Sequence, residues 1–394
     1  MVFLVNLARV VFAPLLDPLG AAFGVTSEGA VGLIATLAWV GSALPRIPTG
    51  YLLTRVSRHR VVLGTGVVLT LSTTLTAFAG SLTQVYLGAF CMGLASGAYF
   101  IAANPLVSEL FPHRVGRAIG VHGMSSQLAA VGAPLFVGLL LVQSSWQVPG
   151  LGSFASWRVV MLCIAAVAAV TTVGFFFIAR RSTMPSAGQA DRDLLAAARR
   201  QWPIILTGFV ILGGTGFVWN GLFNLYVRYL SVEKGLAASQ GRTLLTLVFL
   251  AGVPAFFFAG NLADRLPHVP LLLALLGGFT TCLLVLTAVS GFVPILVVTL
   301  VLGYLIHSTF PTMDTFLLES LPDENRASAY ALYSGSMMIF QATGSVTVGA
   351  LVDSGLGYDV VYRGMALVLV AILFCLFALY LTDRLPTGAA TGEY

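Results

Sequence analysis

GYLLTRVSRHR, residues Gly50 to Arg60, stands between two long apolar runs and places Arg55, Arg58 and Arg60 in close succession. A small residue that lets helices approach closely, followed at once by a basic turn, is typical of the link between two membrane helices on the cytoplasmic side. The stretch therefore predicts a helical hairpin in a membrane, with this turn on the cytoplasmic face.

The pattern of this turn is repeated in the second part of the chain. GNLADRLPH, residues Gly260 to His268, also separates two apolar runs, and Gly260 and Arg265 have the same spacing as Gly50 and Arg55. The same offset relates three further pairs: Leu52 and Leu262, Glu109 and Glu319, Pro112 and Pro322. One chain therefore contains two related halves.

The composition is that of a membrane protein. Of the 394 residues, 58% are hydrophobic and only 9% are charged, whereas about a quarter of a soluble domain is charged. A water-soluble fold could not bury so much apolar surface. The net charge of +5 comes from arginines spread over short turns, so it does not indicate binding to nucleic acid.

The four cysteines predict neither a metal site nor a disulfide bond. They lie in different apolar runs and none has a CxxC partner, so we expect small buried packing residues. Their positions are Cys91, Cys163, Cys282 and Cys375. We expect no metal and no other cofactor.

The chain divides into twelve apolar stretches, each near the ~20 residues that cross about 30 Å of hydrocarbon. The first stretch continues past Leu16 without a small-residue cleavage site, which predicts a retained helix. We predict an N-terminal six-helix half over 1–179, a cytoplasmic linker over 180–202, a C-terminal six-helix half over 203–385 and a disordered tail over 386–394. In the linker, Asp191 to Trp202 fits either a short helix in the membrane interface or a solvated basic loop.

The distribution of basic residues predicts the orientation. If the N-terminus is cytoplasmic, most of the 20 basic residues lie in cytoplasmic turns, the linker or the tail. The outer turns hold Arg158, Arg228, Lys234, Arg242 and Arg363. The positive-inside rule then places both termini in the cytoplasm and makes the number of spans even. We expect a multi-pass protein of the plasma membrane.

The sequence resembles the major facilitator superfamily of secondary transporters over nearly its whole length. The family's typical turn between spans 2 and 3 reads G-x-L-x-D-R-x-G-R-[RK]. Four residues match it, namely Gly50, Leu52, Arg55 and Arg58, while Thr54 replaces the aspartate and Ser57 the second glycine. The resemblance implies an all-α integral membrane fold of twelve transmembrane helices, in two six-helix halves related by a pseudo-two-fold axis along the membrane normal.

Two further family features bear on coupling. A span-4 arginine linked to proton-coupled members is absent, since Ala89 precedes Gly93. The glycines of span 5 partly resemble an antiporter motif, although close helix packing explains them as well. The glycines of spans 5 and 11 are Gly123, Gly132, Gly138, Gly335, Gly344 and Gly349. A co-transported ion or proton therefore stays open.

Alternating access requires the cytoplasmic ends of the two halves to close and separate. Acidic and basic residues recur together at matching positions near these ends, so we predict a cytoplasmic gate held by ion pairs. A role of the arginines in topology alone is the alternative. The gate candidates are Gly50, Arg55, Arg58, Glu109, Arg117, Gly260, Asp264, Arg265, Glu319 and Arg326.

A charged residue inside a span is costly unless it faces protein or a water-filled cavity. Arg9 and Arg46 are the two embedded cations, and the i, i+7 spacing puts His307 and Asp314 on one face of span 10. In the family, spans 1, 4, 7 and 10 line the central cavity. Alternatively, Arg46 snorkels to the headgroups or pairs with Glu109, and Asp314 pairs across the halves. The substrate-binding candidates are Arg9, Arg46, Asn104, Asn220, Asn224, His307 and Asp314.

Three classes of function fit such a chain: a secondary transporter, a membrane sensor on the same fold, and an intramembrane enzyme. A sensor should carry an added soluble signalling region, and we identify none. An enzyme would need a clustered catalytic set or metal site, but His307 and Asp314 lack a third ligand. No G-x-x-x-x-G-K-[ST] phosphate loop supports nucleotide-driven transport. We predict a monomeric secondary transporter of a small solute, and not an enzyme.

The substrate class stays open between two alternatives. Two embedded arginines favour a small organic or inorganic anion, because a fixed cation lowers the cost of bringing an anion into a low-dielectric cavity. An aromatic lining would equally suit proton-coupled efflux of amphipathic compounds. Arginines that both face the cavity predict an anion, whereas arginines capped by carboxylates predict a neutral or cationic solute.

Overall fold

Helices account for nearly all of the described chain, as expected in lipid, where each backbone N–H and C=O must be paired within the protein. In the computed structural model, the residues outside the described chain are Thr54, 111–114, Leu151, 182–193, 264–265, Pro322 and 386–394. The helical residues whose side chains are not described are 105, 108–109, 115–121, 194–197, 257, 260–261, 263, 318–319, 323–328 and 331. The predicted tail and most of the predicted linker thus lie outside the described residues.

The helices of the first half follow each other with short turns and one hairpin of strands. They are α1 (Val2–Val10), α2 (Phe12–Phe23), α3 (Glu28–Ala43), α4 (Arg46–Leu52), α5 (Arg58–Ala77), α6 (Leu82–Leu110), α7 (Val115–Leu140), β1 (Ser145–Val148), β2 (Gly152–Ala155) and α8 (Ser156–Arg181).

The second half contains helices and one π-helical turn. They are α9 (Leu194–Gly208), the π turn (Phe209–Gly213), α10 (Gly214–Val232), α11 (Ala238–Ala263), α12 (His268–Ala288), α13 (Phe292–Ser320), α14 (Asp323–Ala342), α15 (Gly344–Asp353) and α16 (Tyr358–Leu381).

The number of helical stretches agrees with the twelve predicted spans. In the described chain, ten stretches are long and apolar enough to cross a membrane, and α1 with α2 forms an eleventh, bent by 46°. Helix α11 brings the helical stretches to twelve. The bend between α1 and α2 has a local cause: Pro14 cannot donate to the carbonyl of Val10, and its ring clashes with that group.

Two segments differ from the expectation. The predicted fold is all-α, but the segment between α7 and α8 contains an antiparallel hairpin, in which Ser145 pairs with Ala155 and Val148 with Gly152. The part of the linker from 194 to 202 is helical, but it is the first part of α9, and Ala198–Val232 forms one continuous stretch long enough to span. The prediction of a separate interfacial helix is therefore wrong for residues 194–202.

The two halves contact each other through glycines at which a side chain would collide with the opposing backbone. A Cβ atom on Gly349 of α15 would lie 2.4 Å from the carbonyl oxygen of Glu28, and one on Gly32 of α3 would lie 2.5 Å from that of Ser345. Helices α3 and α15 thus pack backbone to backbone across the halves, as small residues allow in membranes.

The glycines of spans 5 and 11 differ in how closely they approach other helices. In α15, a Cβ on Gly344 would lie 2.1 Å from the carbonyl oxygen of Phe217, so close packing explains this glycine. In α7, nothing lies within 4 Å of a Cβ on Gly123, and for Gly132 only Phe3 lies at 4.0 Å. The expectation of close helix contact is therefore wrong for Gly123 and Gly132.

Candidate functional site

A cavity of about 360 Å³ lies between the two halves. Helices α1, α3, α4, α6 and α7 line one side, and the π turn with α10, α11, α13 and α14 lines the other. Its volume is at the lower end of the range for small-molecule sites, about 300–1,000 Å³. The cavity is therefore suited to a small solute.

Arg9 lies in this cavity with neutral partners. Its Nη2 donates to Oδ1 of Asn6 at 2.5 Å, and Nη1 makes a long contact of 3.5 Å with Oγ of Ser42. The guanidinium also stacks on the ring of Trp39, with Cζ 4.3 Å from the ring centroid, and lies 5.7 Å from that of Phe100. No carboxylate lies within 4.0 Å of it among the described residues, so its charge is not neutralised by a described ion pair.

Arg46 also lines the cavity, and it reaches across to the second half. Its Nη1 donates to Oγ of Ser334 at 2.7 Å. Asp314 is near enough to attract it, but in the described chain the two do not form an ion pair within 4.0 Å. Instead, Oδ1 of Asp314 accepts a hydrogen bond from the hydroxyl of Tyr330 at 2.9 Å. Arg9 and Arg46 are close enough to repel each other.

The cavity wall is rich in buried donors that have no hydrogen-bond partner in the described chain. They are Nε of Arg9, Nε of Arg46, Nε1 of Trp39 and the hydroxyl of Tyr333. The first three atoms can only donate, and the hydroxyl can also donate. A buried donor without an acceptor costs about 1–3 kcal/mol. The arrangement therefore favours a ligand that brings acceptor oxygens.

The second half contributes an aromatic wall, which we define as Trp219, Phe223, Phe249, Phe256 and His307. The ring of Trp219 lies 5.2 Å from that of Phe223 and 5.6 Å from that of His307, between centroids. Phe249 lies edge-on to Phe223 at 5.6 Å. Such tilted and edge-to-face contacts are the preferred geometries of aromatic pairs. The wall is thus a fixed surface for the apolar part of a solute.

His307 is part of this wall rather than of a charged network. Its Nδ1 lies 2.7 Å from the carbonyl oxygen of Gly303, one helical turn earlier in α13. Because this carbonyl can only accept, Nδ1 carries the proton and Nε2 is an acceptor in the neutral ring. The side chain is almost fully buried and touches Phe256 on the far side.

Near α10, two side-chain amides form hydrogen bonds to backbone oxygens. Nδ2 of Asn224 donates to the backbone oxygen of Asn220 at 2.9 Å, one turn away. Nε2 of Gln341 donates to the carbonyl oxygen of Leu212 in the π turn at 2.9 Å. A π turn leaves a backbone carbonyl without its usual i+4 partner, and such turns occur often at functional sites. Gln341 thus ties α14 to this turn through a side-chain hydrogen bond.

Five of the predicted binding residues lie together in the cavity, and two do not. The five are Arg9, Arg46, Asn220, His307 and Asp314. Asn104 shares a face of α6 with the cavity residue Phe100, but it lies one turn further along and does not line the cavity. Asn224 lies one turn beyond Asn220 and is closed off by packing. Asn104 and Asn224 therefore do not line this cavity, and their predicted part in substrate binding stays a prediction.

The gate candidates are described only in part. Gly50 is buried, Arg55 is exposed and Arg58 is partly buried at the end of the bundle that holds the N-terminus. Asp264 and Arg265 lie outside the described residues. So do the side chains of Glu109, Arg117, Glu319 and Arg326 and the surroundings of Gly260. The cytoplasmic gate, and any contact between Arg46 and Glu109, therefore stay predictions.

Sequence reasoning missed several polar and aromatic residues of the cavity. Asn6 precedes Arg9 by three residues, which places both on one helix face, so this spacing was the available signal. Its Nδ2 donates to the backbone oxygen of Ser126 at 2.6 Å, which holds α1 against α7. Gln341 is a polar residue inside an apolar stretch, a second signal. Trp39 and Tyr330 carry no such mark in the sequence.

Charged contacts join the two halves at the end of the bundle that holds the turns 24–27, 233–237 and 354–357, which we call the distal end. Arg228 of α10 donates to Oδ1 of Asp17 at 2.9 Å and forms an ion pair with Glu28 of α3. Oε2 of Glu28 also accepts from the hydroxyl of Tyr358 at 2.7 Å. Arginine was expected here only as an outer-turn residue, so the sequence did not predict this contact.

The same end contains a helix cap made across the halves. Asp353, the last residue of α15, accepts from Oγ of Ser27 at 2.6 Å and from the backbone N–H groups of Glu28 and Gly29 at 2.7 and 2.8 Å. These N–H groups begin α3 and have no partner within that helix. The carboxylate of one half thus completes the first turn of a helix in the other.

The sequence profile described as Major Facilitator Superfamily matches residues 1–241 and 209–393. The chain belongs to this superfamily. This membership confirms the predicted family and fold class, and it agrees with a transporter rather than an enzyme. A solved structure of a bacterial homolog to the human lysosomal transporter Spinster, inward-facing and occupied, superposes with a TM-score of 0.80 at 16% identity. The alignment covers 99% of this chain and 97% of that one, so the fold is shared throughout.

Three curated relatives are similar over most of this member of the superfamily. A "Transcription regulatory protein OpdE" of Pseudomonas aeruginosa is 25% identical, over 95% of this chain and 90% of its own. A "Probable 4-methylmuconolactone transporter" of Cupriavidus pinatubonensis is 24% identical, over 94% and 85%. A "Purine ribonucleoside efflux pump NepI" of Escherichia coli is 27% identical, over 91% and 87%. Two of the three names describe transporters of small solutes.

Proposed function

We propose that this secondary transporter moves a small organic anion across the plasma membrane by alternating access. The observation that supports the proposal is the set of buried donors without partners in the cavity wall, on Arg9, Arg46, Trp39 and Tyr333. An anion supplies acceptors for such donors, and its charge offsets that of an arginine. A neutral solute would leave Arg9 without a counter-charge among the described residues, and Arg46 with only the more distant Asp314.

The balance of charge in the cavity also supports an anionic solute. Two arginines and one carboxyl group, that of Asp314, line it among the described residues. Asp314 is engaged by Tyr330 and stands further than 4.0 Å from the guanidinium of Arg46. The arginines thus face the cavity without carboxylate caps in the described chain, which is the condition under which an anion was expected.

The rest of the transport cycle follows from the fold and the charge distribution. Both termini face the cytoplasm, and the distal end faces outside, because most basic residues lie near the end that holds the termini. The protein works as a monomer, with the predicted cytoplasmic gate and the distal contacts closing in alternation around the cavity. A co-transported ion or proton is compatible with this cycle.

A second candidate function, efflux of neutral amphipathic compounds, is favoured by the aromatic wall around Trp219. The relative named as a purine ribonucleoside efflux pump makes inosine a suitable neutral probe. A sensor function is the third candidate, because one relative is named as a transcription regulatory protein. Transport measurements separate it from the other two.

The test is a thermal-shift assay of the purified protein with matched pairs of an acid and its neutral amide. Benzoate with benzamide, nicotinate with nicotinamide, and lactate with lactamide differ mainly in charge. We expect stabilisation by at least one acid and by none of the amides or inosine, since a ligand of the folded state stabilises by RT ln(1 + [L]/Kd). Equal stabilisation by an amide or by inosine would contradict the anion proposal.

Variants and a flux measurement complete this test. Arg9→Ala should abolish the shift given by the acid, whereas Arg60→Gln removes an exposed arginine outside the cavity and should not change it. Exchange of the radiolabelled acid in proteoliposomes then distinguishes a transporter from a sensor. A protein that binds the acid but catalyses no exchange would support the sensor.

A further inference from the structure

We propose that the anion is a flat, unsaturated ring carboxylate, with its carboxylate beside Arg9 and Trp39 and its ring against the aromatic wall. This inference rests on the proposed transport of an anion and specifies the class of solute. Three features of the cavity support it: a two-donor carboxylate subsite, an aromatic surface in the opposite half, and a direct contact between the two.

The carboxylate subsite is formed by Arg9 and Trp39. Nε of Arg9 and Nε1 of Trp39 are both buried donors without partners in the described chain, and the two side chains stack at 4.3 Å. A carboxylate has two oxygens and can accept from both. Asn6 fixes the guanidinium through Nη2, and its own amide is held by α7. The cation is therefore oriented before a ligand binds.

The aromatic wall begins where this subsite ends. The rings of Trp39 and Phe223 meet edge-to-face, with centroids 5.9 Å apart and planes at 75°. Phe223 in turn contacts Trp219, which contacts His307. A carboxylate beside Trp39 therefore places the atoms attached to it directly against these rings. Because Trp39 and Phe223 are in contact, a ring bonded directly to the carboxylate reaches the aromatic wall. A long chain between the carboxylate and the ring is not needed.

The relative angles of the wall favour an aromatic or conjugated ring over a saturated one. Trp219 stands at 79° to His307 and at 73° to Phe249, so faces and edges of rings alternate along the wall. A flat π ring can match such faces and edges with its own quadrupole, and each such pair is worth about two- to twelvefold in affinity beyond area burial. A puckered saturated ring gains only the buried area.

The experiment compares benzoate with cyclohexanecarboxylate, which share the carboxylate and the ring size, and with benzamide, which shares the flat ring. Dissociation constants are measured by isothermal titration calorimetry on the full chain in nanodiscs. We expect benzoate to bind at least about fivefold more tightly than cyclohexanecarboxylate, from one or two ring contacts. Benzamide should not bind measurably.

A variant tests whether the aromatic wall is the source of this preference. Trp219→Leu should reduce the ratio of the two acid affinities to about one while it keeps the affinity for cyclohexanecarboxylate. Phe374→Leu changes an aromatic residue on the exposed surface of α16 and should leave the ratio unchanged. If Trp219→Leu does not yield folded protein, Phe249→Leu serves the same purpose.

The outcomes separate the two proposals. Equal affinity of the parent protein for the two acids, or an unchanged ratio in the folded Trp219→Leu variant, overturns the flat-ring inference but leaves anion transport in place. Binding of lactate without binding of either ring acid does the same. Binding of benzamide as tight as that of benzoate, or no binding of any acid, overturns the anion proposal itself.

Discussion

Replacing Arg228 by alanine should separate the two halves at the distal end. Its guanidinium bridges Asp17 and Glu28, which belong to the other half, and the three side chains are 18%, 35% and 12% exposed. Alternating access requires the distal ends to part once in each cycle, so these contacts exist in only one of the two states. Their removal should therefore shift the balance between states more than it lowers overall stability.

The size of the shift follows from the burial of the two carboxylates. Asp17 is exposed enough to be hydrated when the arginine is lost, so that pair contributes at most about 1 kcal/mol. Breaking a fully buried pair costs about 3–5 kcal/mol, and Glu28 keeps its hydrogen bond from Tyr358. We take about 2 kcal/mol for the whole change. The ratio of distal-closed to distal-open molecules should then fall about 30-fold.

Distances between spin labels across the distal end measure this ratio. Labels at Ser144→Cys and Ser239→Cys, both exposed, report on the two halves once the native cysteines are replaced. Arg363→Ala is the matched control, since Arg363 lies at the same end but donates, among the described residues, only to Thr287 of its own half. A distance distribution for Arg228→Ala that equals the parental one would refute the reasoning, and so would an equal shift in the Arg363 control.

Three further outcomes are expected. Arg9→Lys should weaken benzoate binding by about tenfold in calorimetry and Arg9→Ala by more than that, because lysine keeps the charge but loses the planar donor pair; parental affinity in Arg9→Ala would contradict the subsite. Gly344→Ala should cost about 1–3 kcal/mol of stability through its collision with α10, whereas Gly335→Ala, whose Cβ would make an ordinary contact of 3.8 Å with Cδ1 of Ile47, should be neutral in the same thermal melt. Gln341→Met should lower the melting temperature because it removes the side-chain hydrogen bond to the carbonyl of Leu212; an unchanged melt would show that this bond contributes little.

The fold was predictable from the sequence because lipid imposes a strong rule on each stretch. An apolar run of the right length must be helical, and charges must lie in turns, so the spans could be placed one at a time. The hairpin at Ser145–Val148 and the continuation of α9 into the next span were missed, since short polar segments carry no comparable constraint. The glycines of α7 were misjudged because spacing alone does not tell which face meets a neighbour.

The candidate site was predictable from the sequence only where a single charged residue lies in an apolar span, because burying such a charge is costly. Arg9, Arg46 and Asp314 stand out in apolar spans, and all three line the cavity. Two residues have roles that depend on partners elsewhere in the chain. Trp39 stacks with Arg9, and Gln341 donates to the π turn. A single sequence gives no measure of such pairings, so these residues become visible only when the helices are packed together.

The cavity and the distal contacts share two helices, which makes them mechanically dependent. Helix α3 holds Glu28 at the distal end and Trp39 in the cavity, about 16 Å apart by helix rise, and α10 holds Arg228 and Trp219, about 14 Å apart. The helix segments that join each pair contain no break. A solute bound between Trp39 and Trp219 restrains the separation of α3 and α10 at one level, and the ion pair of Glu28 with Arg228 restrains it at another. Because each helix moves as a rod over this length, a change of separation at either level changes the other, and ligand binding must alter the stability of the distal contact.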